Sequence, residues 1–448
     1  MSASWVFSCT PIDEKITNRE GIELSFSADT LSFDTLFSTL PSVTKRLRVR
    51  NTAHEAVKIS QIRLGAEEDS YFTLTVNGVK GKSFRDQVIL GQDSILLLVE
   101  VNPEMNNTLS PFLLKDSIVF ETNGTRQEVK LISWGQDAHF LKDSVIACNT
   151  TWLADKPYVI QRAVLVDSLC ELRIAAGAQI YLEKDALFFV EGTLLSEGTP
   201  DNRVVFQQLR LEEAYKNIPG QWGGLVFLEG SRNNRLAYTT LRNANFGINL
   251  LGAKPEQSID IQLSGCVMEN MFNAGIIAVN ANITAENTLV ANCADYLAGH
   301  FGGGRYDYQH CTFANLGIGM FRDNASLLFS DRVMLNDGSE LTQPLDIRFQ
   351  NSIIYGNFDE EVLIESETHP LTFFQSHNLV KSQLPLWDGN ASQRNEDPRF
   401  KNPIRFDYSL DTLSPAKDRA APSTILLDLK GQARGAQPDM GAYERVEE

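Results

Sequence analysis

Thr239-Thr240-Leu241-Arg242-Asn243, Cys266-Val267-Met268-Glu269-Asn270, Thr288-Leu289-Val290-Ala291-Asn292 and Cys311-Thr312-Phe313-Ala314-Asn315 are four versions of one phrase. Each ends in Asn, with a large apolar residue two positions earlier and a small residue four positions earlier. The phrases recur at steps of 22 to 27 residues, and a related segment, Asn351-Ser352-Ile353-Ile354-Tyr355-Gly356-Asn357, follows a longer insertion. Such a period, with strand-sized runs and turn residues between them, predicts a solenoid rather than a globular core. No helical period intervenes, so the expected class is all-β: a β-solenoid, most simply a parallel β-helix. Each position then stacks on its counterpart one turn away. Asn243, Asn270, Asn292 and Asn315 become a structural ladder at a turn, where Asn tolerates left-handed backbone and amides bond to one another.

Working outward, 448 residues exceed one ordinary core, which predicts two or more domains. The net charge of −17 argues against nucleic acid as a partner, since phosphate binding needs clustered Lys and Arg. Six scattered cysteines form no CxxC or Cys/His spacing, so no zinc or other metal site is expected. Cys266 and Cys311 fall in the small inward column and are expected reduced and buried, acting as compact apolar residues. No cofactor is implied. The acidic run Asp359-Glu360-Glu361 is a candidate for Ca²⁺ but lacks the interleaved spacing of a ligand loop.

Residues 22–137 have a different texture. Leu31–Asp34, Lys45–Arg50, Val57–Ile62, Ser94–Val101, Asp116–Phe120 and Gln127–Ile132 read as strands, several alternating apolar with polar. Asn77-Gly78 and Asn123-Gly124 are hairpin turns. The expectation is an immunoglobulin-like β-sandwich of about seven strands, serving as a spacer or partner-binding module. The strand order resembles bacterial domains of the kind seen in major sperm protein and related surface modules.

The later part carries a more specific likeness. Leu172–Leu182, Phe188–Leu194, Glu197-Gly198-Thr199-Pro200 and Gly220-Gln221-Trp222-Gly223-Gly224 look like the opening coils of right-handed parallel β-helix proteins of the pectate-lyase-like superfamily. Asp397-Pro398-Arg399-Phe400, Leu413–Asp418 and Pro438–Glu444 resemble the C-terminal segment of many secreted bacterial β-helix proteins. The resemblance covers about two-thirds of the chain and implies a right-handed β-helix over 138–377 and a cap of its end over 378–448. Trp222 is expected to pack at a corner rather than to stack on a sugar. At the other end, Val6-Phe7-Ser8-Cys9 resembles the end of a bacterial lipoprotein signal and is followed by a polar tether, together residues 1–21. That resemblance implies lipidation of Cys9 and an exported protein, lipid-anchored at the outer membrane or cell surface of a Gram-negative bacterium.

Enzymes on this fold cleave acidic polysaccharides with a Lys or Arg base beside Ca²⁺, or with paired carboxylates. Of the polygalacturonase motifs, Asp-Asp and Gly-His-Gly are missing here; Gly299-His300-Phe301-Gly302 only approaches the second. The polar cluster with most chemical promise surrounds Gly302-Gly303-Gly304: His300 as acid/base, Asp307 as carboxylate and Arg305 as anion clamp, with Asp295 and His310 as binding residues. Three glycines there predict a sharp turn or a close approach to a ligand. The insertion 323–345 is a candidate wall for a groove. The leading expectation is a non-catalytic surface protein that binds a polysaccharide or a protein along the solenoid flank. A polysaccharide lyase or glycoside hydrolase and a structural stalk are the alternatives.

Overall fold

A computed structural model describes residues 15–40, 42–251, 259–317 and 319–445. The chain is all-β and divides into two compact units, Met1–Ala138 and His139–Glu448. Cys9 lies outside the described residues.

In the first unit two sheets enclose one apolar core. Among the described residues, a five-stranded antiparallel sheet includes Lys45–Asn51 and Ser94–Val101, and a six-stranded mixed sheet includes Ala56–Leu64, Phe112–Thr122 and Thr125–Gln136. Alternation decides what each strand buries: Leu47, Val49, Leu97 and Val99 on one side meet Ile59, Ile62, Ile118 and Phe120 on the other. Asn77-Gly78 and Asn123-Gly124 take left-handed backbone at both residues, the geometry that joins adjacent antiparallel strands in a two-residue turn.

The second unit is built of large parallel sheets. One, eleven-stranded among the described residues, runs from His139–Leu141 to Gln393–Arg394; the other, sixteen-stranded, begins with Ser144–Ile146. The register follows the repeated phrase. In the eleven-stranded sheet Phe206, Leu241, Met268, Val290, Phe313, Ile354 and Val380 stand one over the next, all buried. The small column runs beside them, with Cys266 and Cys311 free and buried as expected. Cys148 and Cys170 are joined as a disulfide, which the scattered cysteine spacing did not foretell.

The asparagines mark the corner. Asn243, Asn270 and Asn292 have φ of 59°, 63° and 54°, and each side chain bonds the rung before it. Asn315 differs: it keeps negative φ, and its Nδ2 donates to the Cys293 carbonyl at 3.0 Å. The next residue in register is Gly356, not Asn351 or Asn357. A side chain at Gly356 would collide with the Glu361 carboxylate.

A second left-handed column stands at another corner: Gly265, Asn287, His310, Asn351 and His377, with φ from 46° to 65°. This column anchors the C-terminal segment, and here the expectation of an end cap over 378–448 needs correction. Leu379–Val380 and Gln393–Arg394 simply add strands to the sheet. From Phe400 onward the chain lies along the outward face of the eleven-stranded sheet. Tyr408, Leu429, Ala442 and Tyr443 cover Leu289, Ala291 and Ala314, while Leu410, Ala416 and Met440 cover Ile353 and Leu379. Those strand positions are apolar on both sides, and burial at about 25 cal/mol per Å² holds the strap to them. Trp387, fully buried, closes the last rung instead, its ring edge-on to Phe349 and Phe373 at 5.5 and 5.1 Å.

Candidate functional site

The sixteen-stranded sheet contains the glycine run. Strand Ala298–Gln309 bends at Gly302, Gly303 and Gly304, whose φ are 71°, 82° and 121°. A Cβ at Gly303 would strike the Gln343 backbone, and one at Gly304 the Ala281 carbonyl. The close approach that demands glycine is thus by the chain itself, not by a ligand. Part of the insertion is also absorbed into the fold: Leu327–Ser330 joins the sheet, and Arg332–Met334 pairs with Glu340–Thr342 as a hairpin.

Because the chain continues as one strand through the bend, alternation sorts the expected cluster into two groups that do not meet. His300 points inward, in a column with Val190, Phe227, Leu250, Ala278 and Phe329. Its ring lies parallel to Phe329 at 4.3 Å and its Nδ1 donates to the Leu328 carbonyl at 3.1 Å. Its Nε2 accepts from the Tyr308 hydroxyl at 2.7 Å. Fully buried, it is driven by desolvation to a pKa of about 3. The expected acid/base is a core residue.

His310 is buried beneath the strap, where Nε2 accepts from Asn351 and Ser423, and burial likewise lowers it to about 3. Asp295 sits at a different corner, accepting from Asn324 at 2.6 Å. The acidic run is also divided: Glu361 is fully buried and bound by Arg322 and Ser326, while Glu360 accepts from the backbone of Val362 and Gln383. Trp222 packs wholly inside, its indole donating to the Arg242 carbonyl at 2.7 Å.

Arg305 and Asp307 point outward, and they share their face with residues that belong to no catalytic motif. In register across five rungs stand Arg235, Gln262, Thr284, Asp307 and Arg348. Alongside run Ser264, Glu286, Gln309 and Gln350. The Thr424–Ile425 segment of the strap walls one side, leaving a cleft of about 410 Å³. Within it Glu286 accepts from Ser264 Oγ at 2.7 Å, and Asp307 from Gln309 Nε2 at 3.4 Å. Arg305 and Arg348 both turn to Asp346, at 3.8 and 3.1 Å. The floor therefore offers hydroxyl, amide, carboxylate and guanidinium groups in rows repeating at about the 4.8 Å strand spacing. Such a surface can hydrogen-bond many hydroxyls along an extended ligand. A local signal for it exists: polar–x–polar followed by the left-handed residue, as in Gln262-Leu263-Ser264-Gly265, Thr284-Ala285-Glu286-Asn287 and Asp307-Tyr308-Gln309-His310.

No family model matches this sequence, and no curated protein matches it. Three solved structures give slight likenesses. A PapD-like domain of human CEP192 is 11% identical with a TM-score of 0.18, over 31% of this chain and 96% of that one. A family 123 glycoside hydrolase from Clostridium perfringens is 6% identical with a TM-score of 0.20, over 28% of this chain and 30% of that one. A protein of unknown function from Porphyromonas gingivalis is 12% identical with a TM-score of 0.18, over 28% and 59%. Likeness this slight carries no argument about function.

Proposed function

We propose that this chain is an exported surface protein in which an immunoglobulin-like sandwich precedes a right-handed parallel β-helix, and that the polar groove on the helix flank binds a polysaccharide without cleaving it. The observation that carries the binding reading is the groove: Arg235, Gln262, Thr284, Glu286, Asp307 and Gln309 line one cleft in register. A polymer of similar units suits a floor whose polar groups recur from rung to rung. Both charge signs stand in the groove, which favours a neutral, hydroxyl-rich chain over a polyanion. The like-over-like register supports the β-helix, and the two sheets around one core support the sandwich. Export draws support from the Cys148–Cys170 disulfide, since such bonds persist in oxidising compartments. Lipidation of Cys9 rests on the sequence resemblance alone.

Glu286 and Asp307 in one cleft also favour a second reading, glycoside hydrolysis by two carboxylates. A glycan array, followed by assay of each bound glycan for new reducing ends and unsaturated products, separates the two. Binding with no product supports the proposal. Product formation that Asp307→Asn abolishes transfers the site to the hydrolases, and an array with no bound glycan overturns both.

A further inference from the structure

The amide ladder has a direction. Asn243 Nδ2 donates to the Lys216 carbonyl at 2.8 Å, a group that can only accept, and this fixes which end of that amide is nitrogen. The same nitrogen donates to Gln208 Oε1 at 2.8 Å. Asn270 then donates to Asn243 Oδ1, and Asn292 to Asn270 Oδ1. Every amide dipole in the row points the same way, and each bond polarises the next. At the head stands Gln208, whose oxygen is taken and whose Nε2 finds no acceptor among the described residues. Gln208 is 4% exposed. It lines a separate cavity of about 540 Å³, with Leu209, Tyr215, Ile218 and Pro219 around it.

That combination is unusual: a buried, polarised N–H₂ donor at the base of a largely apolar pocket. The loop forming the wall is tied to the ladder head by Asn243 and by Gln221, whose Nε2 donates to the Tyr215 and Ile218 carbonyls at 2.6 and 2.8 Å. A peptide strand would need a row of free backbone groups, but the Gly220 and Gln221 N–H groups already donate to Ala244 and Asn243. Exposed Glu183, Lys184 and Arg210 also line the pocket, but Arg210 is paired with Glu212 and lies over the Tyr215 ring, and Glu183 would repel an anion, so the charges there single out no ion. A neutral carbonyl carrying a small apolar group fits both halves of the pocket.

The geometry points to an acetamido group as the occupant: this pocket binds an N-acetylated amino sugar, its carbonyl oxygen accepting from Gln208 Nε2 and its methyl against Ile218 and Pro219. The site is separate from the polar groove and does not depend on it.

Saturation-transfer NMR on the whole chain tests this with two probes, di-N-acetylchitobiose and cellobiose, which share the linked rings but differ in the acetamido group. The expected result is saturation strongest at the acetyl methyls and none on cellobiose. Ile218→Asp, on an exposed loop residue, should abolish the signal with the thermal midpoint unchanged, and Gln208→Met should weaken it at least tenfold. Thr284→Trp in the groove should leave it intact. No saturation of chitobiose, equal saturation of cellobiose, or a chitobiose signal that survives Ile218→Asp each overturns the assignment.

Discussion

Asn270 donates its side-chain amide to Asn243 Oδ1 at 2.5 Å, one rung to the next, and accepts in turn from Asn292 at 3.0 Å. Both partners are buried, and Asn270 holds φ at 63°. Two buried hydrogen bonds and a left-handed residue therefore depend on a single side chain.

Asn270→Ala should cost about 3 kcal/mol, summing two lost bonds at about 1 kcal/mol each and the strain of a Cβ in left-handed backbone. Asn270→Gly loses the same bonds without the strain and should be about 1 kcal/mol less destabilised. Urea unfolding monitored in the second unit gives both values. Equal stability of all three proteins would remove the ladder from the account.

His300 ties stability to acid. Its folded pKa of about 3 lies below the ordinary 6.5, so the unfolded chain takes up a proton that the folded chain refuses. Stability is whole above pH 6.5 and falls as pH drops toward 3, and His310 acts in the same direction. Between pH 6.5 and 5 the His300 share is about 2 kcal/mol, at about 1.4 kcal/mol per pH unit. His300→Phe should lower stability at neutral pH, because the Leu328 carbonyl and Tyr308 hydroxyl lose their partner. Its decline from pH 6.5 to 5 should nevertheless be shallower than wild type by that amount. Parallel pH profiles would mean that the ring titrates normally.

The strap depends on Arg434. Its guanidinium, buried with the Glu444 carboxylate at 3.2 Å, also donates to Asn287 at 2.7 Å and to the Gly441 carbonyl at 2.9 Å. Arg434→Ala strands Glu444 without its cation, a loss of about 3–5 kcal/mol for a buried pair. Hydrogen exchange should then report lost protection at Leu429 and Ala442, whose amides donate to the Ala442 carbonyl and to Thr312. Protection in the central strands should persist. Unchanged exchange at Ala442 would mean that the apolar contacts suffice alone.

What could be read from the chain, and what could not, follows from the range of each interaction. The Asn, apolar and small columns were legible because four successive rungs restate them within five residues. Turns such as Asn123-Gly124 were legible because left-handed backbone narrows the choice of residue. His300 was misjudged because glycines beside a histidine suggest an open loop; only the partner segments at Ala281 and Gln343 reveal that the strand continues and that alternation sends His300 inward. The strap was misplaced for a similar reason. Its partners Asn287, Thr312 and Asn351 lie 70 to 147 positions away, a separation that no local pattern encodes.

Thiol chemistry separates the cysteines. In the unreduced, native protein, Cys148 and Cys170 should resist alkylation because they are bonded, and Cys266 and Cys293 because burial lifts their thiols to about 11 and about 12. After unfolding without reductant, Cys266, Cys293 and Cys311 should label while Cys148 and Cys170 stay closed. Peptide mapping reads this directly, and labelling of Cys148 under those conditions would withdraw the disulfide and its support for export.

The polar groove is tested most directly by isothermal titration of an array-selected oligosaccharide into the wild-type chain and into Thr284→Trp. Thr284 faces outward at the centre of the cleft, so the indole fills the floor without entering the core. The account predicts a saturable heat with wild type, at least a tenfold loss of affinity in the variant, and no products in the cell afterwards. Wild-type affinity retained in Thr284→Trp would contradict it.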